Sequence, residues 1–280
     1  MRSLTEWSVD ARRQIVGVFT DIDDTLTTDG AITPDALQAL ADLKTAGLHV
    51  IPITGRPVGW SEPFARAWPV DAIVAENGAV ALCHADAFQG KNVDKIAINP
   101  ASSGHFTLLK IYQQDASART HQFARMQQVA ARVLREVPGT TLAQDSPGRE
   151  TDIAIDHSEF THLPPDAIAR VLAILRSEGM TATVSSIHIN GWYGAHNKWD
   201  GACWIVRKLL QRDLPAEIHR WAYVGDSTND QLMFQHFANS IGVANIRRFE
   251  AELDHLPRYI TPGERGAGFA QACRSILQAI

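Results

Sequence analysis

Cysteine is scarce in this chain: three in 280 residues, at Cys83, Cys203 and Cys273. They lie far apart, and none forms a CxxC pair. A disulfide framework and a thiolate metal knot are therefore excluded, and the apolar company of each cysteine marks a buried, reduced thiol. Positive charge is also short, with 26 Lys and Arg against 31 Asp and Glu, a net of −5 with His neutral. That balance argues against a nucleic-acid or anionic-membrane partner, since both attract basic surfaces. A phosphorylated ligand would need local positive charge, from a metal ion or a few placed Lys and Arg. No run approaches the roughly 20 apolar residues of a membrane span, and the opening MRSLTEWSVDARRQ has no apolar signal core. A cytoplasmic location is expected. The 11 His are scattered, without HxxxH or HExxH spacing, and neither GxSxG nor a Walker loop occurs.

What is present suits a soluble globular protein, 45% hydrophobic and 20% charged, long enough for one large domain or two. Residues 15–20 form an apolar run ending at Asp21, the mark of a parallel strand buried on both faces. Thr33-Pro34 then opens a helix in which Leu37, Leu40, Ala41 and Leu43 recur at helical spacing, and Gly47 closes it. Residues 49–53 read as the next strand. Strand, helix and strand within about forty residues make a βαβ unit and predict a parallel sheet. A short helix near 60–68 and a strand at 72–75 extend the pattern.

From about Cys83 the rhythm changes. A Gly/Lys/Asn loop, a strand at 95–98, a long helix over 120–137, a strand at 151–156, a helix at 164–178 and paired strands at 181–185 and 187–190 suggest an α+β module. After Asn197 the first rhythm returns, with a helix over 198–210, strands at 221–224 and 240–243, a helix at 230–236 between them, and a last helix. The expected fold is α/β: a parallel-sheet core made of residues 1–84 and 191–280, with an inserted α+β cap at 85–190.

Three segments call for chemistry: FTDIDDTLTTDG, PITGRP and VGDSTNDQ. Each follows an expected parallel strand, and ligand crevices in open α/β sheets form at the carboxyl ends of strands. Asp21, Thr54 and Asp226 should converge there, with Lys198 at a helix start reaching the same edge. Clustered carboxylates repel one another and need a cation. Oxygen-only ligands select Mg²⁺, which takes one or two carboxylates beside a substrate phosphate. A carboxylate at Asp21 can attack phosphorus, and Asp23, two residues on, can serve as general acid and then base. Thr54 and Lys198 offer a hydroxyl and a positive charge to the phosphoryl oxygens, and Asp226 completes the metal site.

DIDDT at 21–25, ITGR at 53–56, NKWDG at 197–201 and GDSTND at 225–230 resemble, in order, the four motifs of the haloacid dehalogenase superfamily of phosphatases. The resemblance implies Asp21 as nucleophile, Asp23 as acid/base, and Thr54 and Lys198 as the remaining catalytic pair. It implies a Mg²⁺ site from Asp21, the Asp23 backbone carbonyl, Asp226 and Asp230. Gly55, Arg56 and Asn229 are expected near the substrate, although Arg56 reads equally as a structural ion pair. Between Arg56 and Lys198 lie 141 residues, which resembles the subgroup with an α+β cap between the second and third motifs. That subgroup acts on phosphorylated sugars and related metabolites, and ENGA at 76–79 is similar to it. Glu76 and Asn77 read equally as a plain turn.

Other readings of these segments are weaker. DIDDTLTTDG fails as a calcium loop, with Leu26 where Gly is needed and Ile32 at the closing Glu position. GERGAGFA at 263–270 lacks the third Gly of a dinucleotide loop and is a turn into the last helix. In the cap, Ile153, Ile155, Ile187 and Ile189 alternate with Asp152, Asp156, His188 and Asn190. The polar face either roofs the site, His188 and Asn190 meeting sugar hydroxyls, or is solvated. The activity expected is hydrolysis of a small phosphorylated metabolite through an aspartyl phosphate. A phosphomutase and a silent sugar-phosphate sensor are the alternatives.

Overall fold

The computed structural model describes residues 1–87, 95–98 and 107–280; the expected Gly/Lys/Asn loop lies outside them. Six strands form one sheet in the order Arg2–Ser3, Tyr259–Ile260, Asn239–Gly242, Trp221–Gly225, Gly17–Thr20, His49–Pro52, and every pairing is parallel. Gly17–Thr20 is buried along its whole length. It is flanked by the strand one helix later and by a strand two hundred residues later, so the chain order switches there. Such a switch point leaves a crevice at the strands' carboxyl ends.

The first crossover helix spans Pro34–Thr45 and buries Ala36, Ala39, Leu40 and Leu43. Leu37, expected on that face, is exposed instead. Thr33 takes the N-cap place without a side-chain cap bond, and Pro34 fills the first turn. The helix over Val58–Ala67 and the strand Ala72–Ala75 follow as expected.

Residue 85, the expected boundary, lies between strands of a second sheet. Ala72–Ala75 pairs antiparallel with Val80–His84, which pairs with Leu108–Tyr112, and the latter takes Lys95–Ile98 on its far side. A parallel bridge from Ile53 to Val74 joins this sheet to the main one. The separate sheet begins only after Tyr112. It has the order Thr141–Leu142, Ile153–Asp156, His188–Trp192, Thr181–Val184. Helices Ala116–Glu136 and Pro165–Ser177 cover one face, burying Met126, Val129, Val133, Val171 and Leu175 against Ile153, Ile155 and Ile189. The opposite face carries Ala154, Asp156, His188 and Asn190 in register.

Helix Lys198–Leu210 brings the chain back. Its first turn lies against the turn Glu76–Gly78. Gly78 has φ +108°, and a Cβ there would meet the Asn197 carbonyl, while one on Gly201 would meet Gly78. Only glycines permit this approach, and it fixes where Lys198 starts.

Candidate active site

Backbone bonds align the three motif ends. The Asp21 amide donates to the Val224 carbonyl and the Ile53 amide to the Thr20 carbonyl, which sets Asp21, Thr54 and Asp226 side by side at the sheet edge. Beyond Asp21 the chain leaves the sheet. Ile22 and Leu26 plug into the core, the Ile22 carbonyl accepts from the amides of residues 25–27, and Asp24 takes φ +54°.

Asp21, Asp226 and Asp230 are all buried, with one carboxylate oxygen of each within 4.8 Å of the others. Lys198 Nζ donates to Asp21 Oδ1 and to Asp230 Oδ1, both at 2.7 Å. Burial pushes the Asp21 carboxyl up to about 7 despite Lys198, helped by the neighbouring Asp230 and Asp23 charges. Burial, then Asp21 and Asp230, push Asp226 well above the ordinary range. Lys198 rises because the charges of Asp21 and Asp230 outweigh its burial.

The carboxylates differ in what remains free. Asp230 Oδ1 accepts from Lys198 and from the Tyr223 hydroxyl, and Oδ2 from the amides of Asp226 (2.9 Å) and Ser227 (3.2 Å). Asp226 Oδ2 accepts from Asn245 Nδ2 at 2.9 Å, but Asp226 Oδ1 is buried without any hydrogen-bond partner. An ionised oxygen in that position is costly unless a cation meets it. A divalent ion seated between Asp21 and Asp226 fits this donor set, which is oxygen only. Asp230 then acts by holding Lys198 and the Asp226 backbone.

Thr54 is fully buried, and its hydroxyl accepts from the Arg56 amide at 3.0 Å. Asn229, half-buried, accepts from Ser227 Oγ at 2.9 Å. Asp23 is gripped by Arg56, whose Nε lies 3.0 Å from each oxygen. The same guanidinium donates to Asp145 Oδ2 at 3.0 Å and to Glu159 Oε1 at 2.7 Å. Three carboxylates thus share one arginine, which is an ion-pair hub with no donor left for substrate.

The polar face of the separate sheet does turn toward the core. Asn190 Nδ2 donates to Asp152 Oδ2 at 3.0 Å and to the Gly55 carbonyl at 3.4 Å. Arg149 NH1 donates to that carbonyl at 2.9 Å and to Asp152 at 2.8 Å. His188 Nε2 meets Glu159 Oε2 at 2.8 Å. Asp156 is not free for a ligand: its oxygens accept from the amides of Ser158, Glu159, Phe160 and Thr161. It builds the loop that presents Glu159.

No motif or periodicity in the sequence singles out Asp145, Glu159, Tyr223 or Asn245. Glu76 carries a signal in the ENGA segment, which reads equally as a plain turn. Its carboxylate is fully buried and accepts from the amides of Val58 and Glu150 at 2.9 and 3.1 Å, and from the Thr151 amide and hydroxyl, both at 2.5 Å. Both Glu76 and Asn77 have positive φ, 50° and 55°, a conformation that costs energy outside glycine. Burial raises the Glu76 carboxyl even with these donors.

A family model described as haloacid dehalogenase-like hydrolase matches residues 18–127, a span that includes the first two motifs and the 76–79 turn. No curated protein matches the chain. Solved structures align along nearly its full length. Thermoplasma acidophilum 0175 has a TM-score of 0.66 at 15% identity, covering 95% of this chain and 99% of that one. The sucrose-phosphatase from Synechocystis sp. PCC6803, in complex with sucrose and phosphate, has 0.60 at 15%, covering 94% and 98%. A haloacid dehalogenase subclass IIB sugar phosphatase has 0.58 at 15%, covering 94% and 99%. At such identities the structural likeness is one of fold. The haloacid dehalogenase-like recognition drawn from the four motifs is borne out, as is an α/β core with an inserted α+β module, and so is the expectation of a hydrolase.

Proposed function

We propose that this chain is a Mg²⁺-dependent phosphomonoesterase acting on a small phosphorylated metabolite, a sugar phosphate by preference, through an aspartyl phosphate on Asp21. The observation that carries the reading is the pairing of Lys198 with Asp21 beside the orphaned oxygen of Asp226. Asp21 attacks phosphorus in line with the leaving oxygen, and the ester bond breaks as the Asp21–phosphorus bond forms. Asp23 gives its proton to the departing hydroxyl and then takes one from the water that cleaves the acyl phosphate. Lys198 and the Thr54 hydroxyl meet the phosphoryl oxygens, where negative charge is held. Bound Mg²⁺ would neutralise charge on the phosphoryl group, held by Asp21 and Asp226 with the Asp23 carbonyl, and Asp230 bracing the set.

The neighbours' sugar phosphatases support the substrate class, as does the face carrying His188 and Asn190. The division we assign is a core of residues 1–112 and 195–280 and a cap of 113–194, because the strands up to Tyr112 belong to sheets continuous with the core. The deciding experiment measures phosphate release over a panel of phosphorylated sugars, glycerates and nucleotides with and without Mg²⁺. Parallel analysis of isomerised sugar phosphate separates a mutase. No release from any ester, with intact folded protein, would sink the proposal.

A further inference from the structure

Beside Asp23 a cavity of about 370 Å³ opens between core and cap. Its volume suits a small metabolite. Four carboxylates line it, Asp23, Asp24, Asp29 and Glu159, against two guanidinium groups, Arg56 and Arg265. Both arginines are ion-paired, although Arg265 Nε keeps no hydrogen-bond partner among the described residues. Arg56 is shared by Asp23, Asp145 and Glu159. Arg265 lies 3.1 Å from Asp24 and 2.9 Å from Asp29. Arg248, just outside, faces Asp24 at 3.6 Å and Asp226 at 3.8 Å. A leaving group in this cavity therefore meets an excess of negative charge, four carboxylates against two ion-paired guanidinium groups. Carboxylates accept well from neighbouring hydroxyls. Phe160, 61% exposed on the loop built by Asp156, offers a flat apolar face beside them.

We infer that the cavity selects the leaving group by charge: it takes an uncharged or cationic polyhydroxyl and rejects one carrying a second anionic group. The inference rests on the phosphatase reading above and narrows it. Repulsion is the selecting element, since a like charge set against the carboxylates that line the cavity weakens the wrong complex. Glu159 and Asp29 are the residues that enforce it.

Three six-carbon 6-phosphates make the test, glucosamine 6-phosphate, glucose 6-phosphate and 6-phosphogluconate, with nitrophenyl phosphate alongside. With Mg²⁺ present, kcat/KM is expected to fall along that series, the anionic compound standing about tenfold or more below the neutral one. Raised salt should compress the series. Asp29→Asn should raise kcat/KM for the anionic substrate by about threefold relative to nitrophenyl phosphate measured on the same variant. Glu159→Gln should act in the same direction. Release from nitrophenyl phosphate together with a flat series, or with none from the three sugars, overturns the inference alone. Absence of release from all four overturns the phosphatase reading and the inference with it.

Discussion

The floor of the site and its roof hold similar numbers of charged groups but treat them differently. On the floor, Asp226 keeps a buried oxygen with no donor, and Asp21 has only Lys198. In the roof, Asp152, Asp156, Asp145 and Glu159 have found arginine, asparagine, histidine or backbone amides. Buried polar groups left unpaired point to a missing ligand. Those fully paired hold a shape and charge little to keep it. The difference teaches that counting acidic residues near a cleft says less than asking which oxygens are still free.

The largest break in that comparison comes from the floor. Asp21→Asn removes the proposed nucleophile, and phosphate release should fall by about three orders of magnitude or more; a variant keeping about a tenth of wild-type rate would refute the covalent role. Asp23→Asn is expected to lose roughly 10²–10⁴-fold on a sugar phosphate and less on nitrophenyl phosphate, whose leaving group needs little protonation. Equal losses on the two esters would remove Asp23 from the acid role.

The seam between floor and roof, where Glu76 of the core holds the 150–151 segment, is expected to respond in stability instead. Glu76→Ala leaves four buried donors facing nothing and should cost about 3 kcal/mol or more, read as a lowered denaturant midpoint. Glu76→Gln, which keeps acceptor capacity, should recover part of it. A midpoint unchanged in the alanine variant would mean that the 150–151 segment is held by other contacts.

The smallest effect concerns protons and metal together. The Asp21 pKa rises from an ordinary 3.8 to about 7 in the folded chain. Between those values the folded chain keeps a proton that the unfolded chain has lost. Without a cation, this group's contribution to stability is therefore present at low pH and fades as pH climbs from about 4 to about 7. A divalent cation competes with that proton. The gain in Tm on adding Mg²⁺ should be larger near pH 8 than near pH 5.5, by a few degrees. A gain independent of pH would place the ion away from Asp21.

The floor was the more legible region in the sequence. Its residues sit at the ends of short apolar runs, and burial of a parallel strand on both faces writes such runs plainly. The four motifs then fixed an order. The roof was less legible because alternation reports which face a side chain takes, not whether its oxygens are already in use. Asp156 illustrates this: its side faces the core, yet four backbone amides claim it. The short pairings of Val80–His84 with Leu108–Tyr112 were also hidden, because antiparallel partners more than twenty residues apart leave no local signature. Leu37 shows the limit of helical periodicity, where one apolar residue in the stripe turned outward.

Asp230 gives the site one more property. With Lys198, Tyr223 and two amides on its oxygens, it is already occupied as an acceptor, so of the three clustered carboxylates Asp21 and Asp226 keep the freer oxygens for an ion. Few charges and several remaining waters favour rapid exchange with the medium. Occupancy would then follow the free magnesium concentration around the protein, and dialysis against a weak chelator should empty the site and fresh Mg²⁺ refill it without refolding.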